Sequence, residues 1–542
     1  MAKDLEIPFE KDRHGHYRFF ETLPGTLSYC MLALPVVLSL INVTVAAVFV
    51  LVYLLINFAR GVAGAVRALH GYHIMREHQK YAWADMLREL EAGEIGDRVT
   101  KRPKWHREAV ARIHTRPLLM PPSEVIHAII IATYKESREI LQPTIESVLA
   151  SDYDMKKVIF ILAYEGRAGE QTEQLAKELT KQCKRTFMDA MSIKHPAGLP
   201  GEIIGKGGNV TYAARQLEKY LGKKGIDPLR VMVTTLDADN RPDKNYLNAV
   251  SYLYTAAPDP VHASYQPVSL YTNNIWDAPA PMRVLATGNS LFNLVVSLRL
   301  HALRNFSSHS QPMAALLETD YWSVRTIVED GHQFWRSYFA FDGHYRVLPV
   351  NLPISQDAVL SDSYRKTLKA QFVQLRRWTY GASDVAYVAE MGFFRKNKVP
   401  KLDLIAKFWR LLEGHVTWAV GPPLVLVCGF IPALFHPKNF TANELPLIVS
   451  RVQTVGIIAL IVTVFMALRT LPPKPTRYKR HRTLFMVLQW VYFPVTTLGY
   501  NCLAAFNSQT RLIFKRYLTK FDVTEKAVVV ETSTGKKAGF KS

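Results

Sequence analysis

Between Glu21 and Arg60 the chain carries no charged residue over 38 consecutive positions. A helix that crosses a bilayer needs roughly 20 apolar residues, so this stretch has the length of two. The turn between them is expected at residues 39–42, and the stretch is too long for the apolar core of a cleaved signal peptide. Only helices or closed barrels satisfy their own backbone inside lipid, so the first layer of the fold is a helical hairpin in a membrane.

The remaining apolar stretches extend this reading. Residues 415–435 and 452–468 are each of spanning length, and the linker between them is polar. The run KLDLIAKFWRLL at 401–412 mixes charge with bulky apolar groups, as a helix lying in the interface does. After the second span come Arg469, Lys474, Arg477, Lys479, Arg480 and Arg482, which places that loop on the cytoplasmic side. Residues 484–506 are apolar but interrupted by Pro494 and Gly499, and are followed by another basic stretch. Two basic flanks favour a broken or re-entrant hairpin there; a single fifth span would put the tail outside.

The expected order is therefore an N-terminal cytoplasmic segment (1–22), two transmembrane helices (23–66) and a juxtamembrane connector (67–122). A soluble domain (123–400) and an interfacial helix (401–413) follow. Two further transmembrane helices (414–468), a basic cytoplasmic loop (469–483), the broken segment (484–510) and a basic tail (511–542) complete it. The net charge, 67 basic minus 46 acidic residues or +21, is assigned to membrane topology, and nucleic-acid binding is not expected. Cys30, Cys183, Cys428 and Cys502 lie far apart with no C-x-x-C pair, which supports neither zinc nor a disulfide framework.

Inside the soluble domain, strand-like runs at 125–134, 158–164 and 231–239 alternate with helical spacing at 140–149, 170–183 and 208–221. That alternation predicts a parallel sheet covered on both faces, a Rossmann-like nucleotide-binding half. No G-x-G-x-x-G follows the first strand and no Walker spacing occurs, so dinucleotide and P-loop chemistry are disfavoured. The run VMVTTLDAD at 231–239 ends in Asp237 and Asp239, placed where open α/β sheets bind ligands. Two carboxylates there suit a hard divalent cation carrying a diphosphate, although a D-x-D alone reads equally as a polar turn. About ninety residues on, Glu329-Asp330-Gly331 offers a candidate base, or merely acids at a helix start. Gln374, Arg377 and Trp378 form a Q-x-x-R-W: a rigid fork for phosphate oxygens and a flat face for a sugar ring, or an ordinary amphipathic helix.

Taken together and in this order, between membrane helices, these motifs resemble the family 2 glycosyltransferases, and more narrowly the membrane-embedded cellulose, hyaluronan and chitin synthases. The resemblance covers residues 125–526. It implies an α/β GT-A fold in a cytoplasmic domain held between transmembrane helices at the plasma membrane. It implies an inverting transferase that extends a polysaccharide from a nucleotide sugar, with a UDP-linked donor expected. Transfer of one sugar to a lipid-linked acceptor is the alternative, and a non-catalytic scaffold on the same fold a second.

By the same resemblance Thr133, Tyr134 and Glu136 hold the base and ribose with Glu165. Lys206 of Lys206-Gly207-Gly208-Asn209 meets the nucleotide. Asp237 and Asp239 bind Mg2+ or Mn2+ and the diphosphate, Asp330 is the general base, and Gln374, Arg377 and Trp378 bind the diphosphate and the acceptor end. Residues 521–526, FDVTEK, are similar to the F-x-V-T-x-K gating loop of the cellulose synthases. Val328 replaces the usual Thr before E-D, and Glu165 the commoner Asp. No G-T-N-like acceptor segment is evident; residues 306–310 stand in its place, which leaves the acceptor open. About four spans imply a narrow pore, or one formed only between copies in a homo-oligomer.

Overall fold

The computed structural model describes residues 4–96, 102–479, 481–521, 528–531 and 537–541. Its soluble part is built on an eight-stranded mixed sheet: β1 (Ile126–Thr133), β2 (Val158–Glu165), β3 (Asp189–His195), β4 (Val231–Asp237), β5 (Arg241–Pro242), β6 (Ala263–Tyr271), β7 (His309–Pro312) and β8 (Arg346–Gln356), ordered β3-β2-β1-β4-β7-β6-β8-β5. The first four strands are parallel, whereas β7 runs antiparallel to both β4 and β6. This is the α/β domain expected from the alternating pattern.

The apolar runs explain the parallel half. Along β1, Ile129 and Ile131 enter one core while Ala128 and Ile130 enter the other, as a period of two requires. The first core is closed by the helices Arg138–Leu149, Glu170–Cys183 and Tyr246–Ala256, the second by Lys206–Lys224 and Met313–Glu318. A strand buried on both sides tolerates no polar alternation, hence the continuous runs of β1 and β2. Strand β3 was not legible in this way. It lies at the sheet edge, and its Lys194 is exposed.

The segment read as a connector contributes to the first core. Trp83, Met86, Leu87 and Leu90 of the helix Trp83–Ala92 and Val110 of the helix Lys104–Arg112 pack there. His106, fully buried, is held between Tyr252 and Glu89 at 2.8 Å each.

Two long helices, Gly15–Ile41 and Val43–His78, fill the charge-free stretch. Asn42 separates them: its backbone is extended, and its side chain accepts hydrogen bonds from Thr44 N at 2.9 Å and Val45 N at 3.2 Å, capping the second helix. Together with Phe440–Thr470 they are long and apolar enough to cross a membrane. A fourth span arises if Lys401–Leu426 and Cys428–Phe435, bent by 49°, act as one. The expected interfacial helix is thus the first half of the continuous helix Lys401–Leu426. Residues 481–513, expected to hold a broken or re-entrant segment, are helical throughout, interrupted by a 3-10 turn at Gln489–Tyr492 and a π-helical turn at Thr497–Cys502. A proline without an N–H and a nearby glycine deform such a helix without reversing it.

Candidate active site

In the order β3-β2-β1-β4 the chain changes winding direction between β1 and β4, and a crevice opens at their carboxyl ends. The register pairs Ala132 with Asp237, so the turn after β1 and the D-x-D after β4 face one another. The cavity there is lined by all the residues singled out from the sequence: Thr133, Tyr134, Glu136, Glu165, Lys206, Asp237, Asp239, Asp330, Gln374, Arg377 and Trp378. They come from six separate segments, and the fold brings every one of them to a single cavity.

At one end, Glu136 fixes its own turn: its Oε2 accepts from Thr133 Oγ1 at 2.8 Å and from Tyr134 N at 2.7 Å. The Arg167 guanidinium stacks 4.4 Å from the Tyr134 ring and donates to Glu165 at 3.2 Å. Glu165 closes β2, and its register partner on β3 is His195.

The centre is strongly charged. Lys206 opens its helix and donates from Nζ to Asp237 Oδ1 at 2.6 Å and to the Ser307 carbonyl at 3.0 Å. Burial alone would lower its pKa; the carboxylates of Asp237, Glu329 and Asp330 outweigh that and hold it above the ordinary lysine value. Asp239 is only 6% exposed, and its Oδ2 accepts from Asp357 N at 2.9 Å. Glu329 and Asp330 occupy the first turn of the helix Glu329–Ala340. Burial raises both carboxyls above the usual carboxylate range, with Lys206 opposing. A second negative charge beside the first is unfavourable there, so the two adjacent acids resist ionising together.

The two glycines after Lys206 allow this crowding. A Cβ at Gly207 would collide with the Ser323 carbonyl and approach the Glu329 side chain at 3.2 Å. At Gly208 it would lie 2.8 Å from a Glu202 carboxylate oxygen and 3.3 Å from the His195 ring. The helix can therefore wedge between the His195–Glu202 pair and the acid pair only because both positions lack a side chain.

The far wall is the helix Tyr364–Thr379, which presents Gln374, Arg377 and Trp378 at i, i+3 and i+4 on one face. Trp378 lies 6.1 Å from the Tyr271 ring. The Arg377 guanidinium stacks 3.8 Å from the Phe521 ring, and Phe521 N donates to the Ile204 carbonyl at 2.8 Å. The remainder of the gating-loop-like motif, 522–526, lies outside the described residues.

Arg167, Tyr271 and Asp357 also line the cavity without having been placed in the site from sequence, and so does Ser307, from the segment standing where an acceptor motif was expected. Among the described residues no group of three or more His, Cys, Asp or Glu side chains forms a metal cluster. The donor set here, two carboxylates at one strand end with a lysine ammonium already on Asp237, fits a cation that also takes oxygens from a bound diphosphate, as Mg2+ does.

No family model and no curated protein sequence matches the chain. Among solved structures it is similar to a mannosyltransferase from Pyrobaculum calidifontis, in complex with GDP-Man and Mn2+, at 14% identity over 81% of this chain and 98% of that one, with a TM-score of 0.36. It is also similar to residues 1–349 of S. aureus TarS in complex with UDP-GlcNAc, at 10% identity over 77% and 99%, with a TM-score of 0.35. Scores of this size leave the functional reading to the site itself.

Proposed function

We propose that the protein is an inverting membrane glycosyltransferase that moves a sugar from a nucleoside diphosphate donor, UDP-linked by preference, to a growing polysaccharide. The observation that carries this reading is the convergence, around one switch-point cavity, of an acceptor-rich end at Glu136 and Glu165, a D-x-D, the Glu329–Asp330 acid pair and a Q-x-x-R-W face.

In this reading the base stacks at Tyr134 and Arg167 beside Glu165, and the diphosphate lies across Lys206 and Arg377. Asp237 and Asp239 would hold Mg2+ or Mn2+, which when bound offsets charge on the departing diphosphate. Asp330 takes the proton of the acceptor hydroxyl as its oxygen attacks the anomeric carbon from the face opposite the diphosphate. The new glycosidic bond forms as the bond to the diphosphate oxygen breaks, so an α-linked donor gives a β-linked product. Trp378 offers its face to the acceptor ring, and Gln374 a polar contact beside it.

The test is a donor screen with purified protein in Mg2+, in Mn2+ and in chelator, reading released nucleoside diphosphate and product length. Metal-dependent release with a long product is expected. A product of one sugar on lipid would establish the single-addition reading instead, and no release from any nucleotide sugar would leave the scaffold reading.

A further inference from the structure

His195 ends β3 with its ring almost wholly buried between two carboxylates. Nε2 lies 2.9 Å from Glu202 Oε2, and Nδ1 lies 3.4 Å from Glu165 Oε2. A neutral imidazole has one N–H and can donate to only one of them; donating to both requires the imidazolium. Burial pulls the pKa of the ring down, and the two carboxylates more than reverse this, holding it at about 9. Arg167 donates to the same Oε2 of Glu165, while Oε1 receives no hydrogen bond among the described residues. Glu165 is thus held from one side by two cationic donors and lines the cavity with an acceptor still open. The arrangement is built in: Gly208 leaves room for His195 and Glu202, and the Tyr212 ring lies 5.5 Å from the imidazole.

We propose that His195 and Glu202 are positioning residues that hold the Glu165 carboxylate in place as a hydrogen-bond acceptor, and so restrict the donor to a nucleobase with an N–H on its pairing edge, as in uracil or guanine. The inference rests on the donor reading above. A carboxylate accepts from the N3–H of uracil or the N1–H of guanine, whereas cytosine and adenine turn a lone pair toward it. Freed from His195, the Glu165 side chain can rotate away from the pairing edge, and the discrimination between an N–H and a lone pair there is lost.

The test is the affinity of the full-length protein in detergent for UDP, GDP and CDP in Mg2+, measured by calorimetry, beside turnover of the donor found in the screen. Wild type is expected to bind UDP or GDP about 10-fold or more tightly than CDP, the scale of one charge-assisted hydrogen bond. His195→Gln is expected to narrow that ratio by about 10-fold through weaker binding of the preferred nucleotide, with kcat at saturating donor within about 3-fold of wild type. Glu202→Gln should move the ratio the same way, and it carries the test if His195→Gln does not fold. A wild type without preference, an unchanged ratio in both variants, or equal loss for every nucleotide would overturn the inference. Failure of wild type to bind any nucleoside diphosphate would overturn the donor reading beneath it.

Discussion

At the scale of single residues, Asp330 and Lys206 are opposed in sign and share one buried site. Asp330→Asn removes the proposed base, so transfer should fall by about 10²–10⁴-fold. It also removes a carboxylate that resists ionisation beside Glu329, so the thermal midpoint should be equal to or above that of wild type. Rate and melting curves of the same preparation check both. The sign of the pH dependence follows. Both acids have folded-state pKa values above their unfolded ones, so their neutral forms contribute stability at low pH, and that contribution is lost as pH rises through the raised pKa. Activity needs the ionised form, so kcat/KM should rise over the same interval while folding stability declines. Lys206→Met removes the ammonium that donates to Asp237; the pair is only part-buried, its side chains 10% and 33% exposed, so the cost in stability is about 1 kcal/mol. Denaturant unfolding should show that loss together with weakened donor binding.

At the scale of elements, the helix Lys206–Lys224 is the keystone, because its first turn touches the base end, the D-x-D and the acid pair. Gly207→Ala should therefore act at a distance. Its methyl meets backbone at Ser323 rather than a yielding side chain, an overpacking worth about 1–3 kcal/mol, and the displaced segment carries Glu329 and Asp330. Turnover should fall further than donor affinity, a split that steady-state kinetics resolves. The same elements show what could be read in advance. Strands β1, β2 and β4 were legible because burial on both faces leaves an unbroken apolar run; Asp237 and Asp239 followed from the polarity of β4, whereas Thr133, Tyr134, Glu136 and Glu165 came from the family resemblance. Strand β3 carries polar residues at a sheet edge and gave no such signal, so His195 went unnoticed. Arg167 and Asp357 sit in turns, and only the tertiary fold decides what a turn faces. Pro494 and Gly499 marked 484–510 as broken or re-entrant, and the helix there is interrupted by a 3-10 turn and a π-helical turn.

At the scale of the whole molecule, the N-terminal segment ties the membrane part to the catalytic loop. Arg336, 1% exposed, donates to Glu6 Oε1 at 2.8 Å, to the Leu5 carbonyl at 3.0 Å and to the Thr319 carbonyl at 2.7 Å. Ser323 donates to Glu6 Oε2 at 2.8 Å, and the Arg325 guanidinium lies 3.8 Å from the Phe9 ring. Six residues after Ser323 comes Glu329. Removing residues 1–9 should leave Arg336 buried without its carboxylate, lowering the thermal midpoint and reducing turnover even though no residue lining the cavity is deleted. Melting and rate measurements on the shortened protein check this.

The antiparallel course of β7 has a practical consequence. Because β7 reverses beside β4, the loop entering β7 meets the same edge of the sheet as the loops leaving β1 and β4, and delivers the Ser307 carbonyl to Lys206. The opposite edge, where the chain enters β1, β2 and β4, contributes nothing to the cavity. Gly225, in a left-handed turn with open space around it, sits on that edge. The protein therefore offers a silent attachment point: an epitope or fluorescent reporter spliced in at 223–225 would sit at the end of the sheet opposite the cavity.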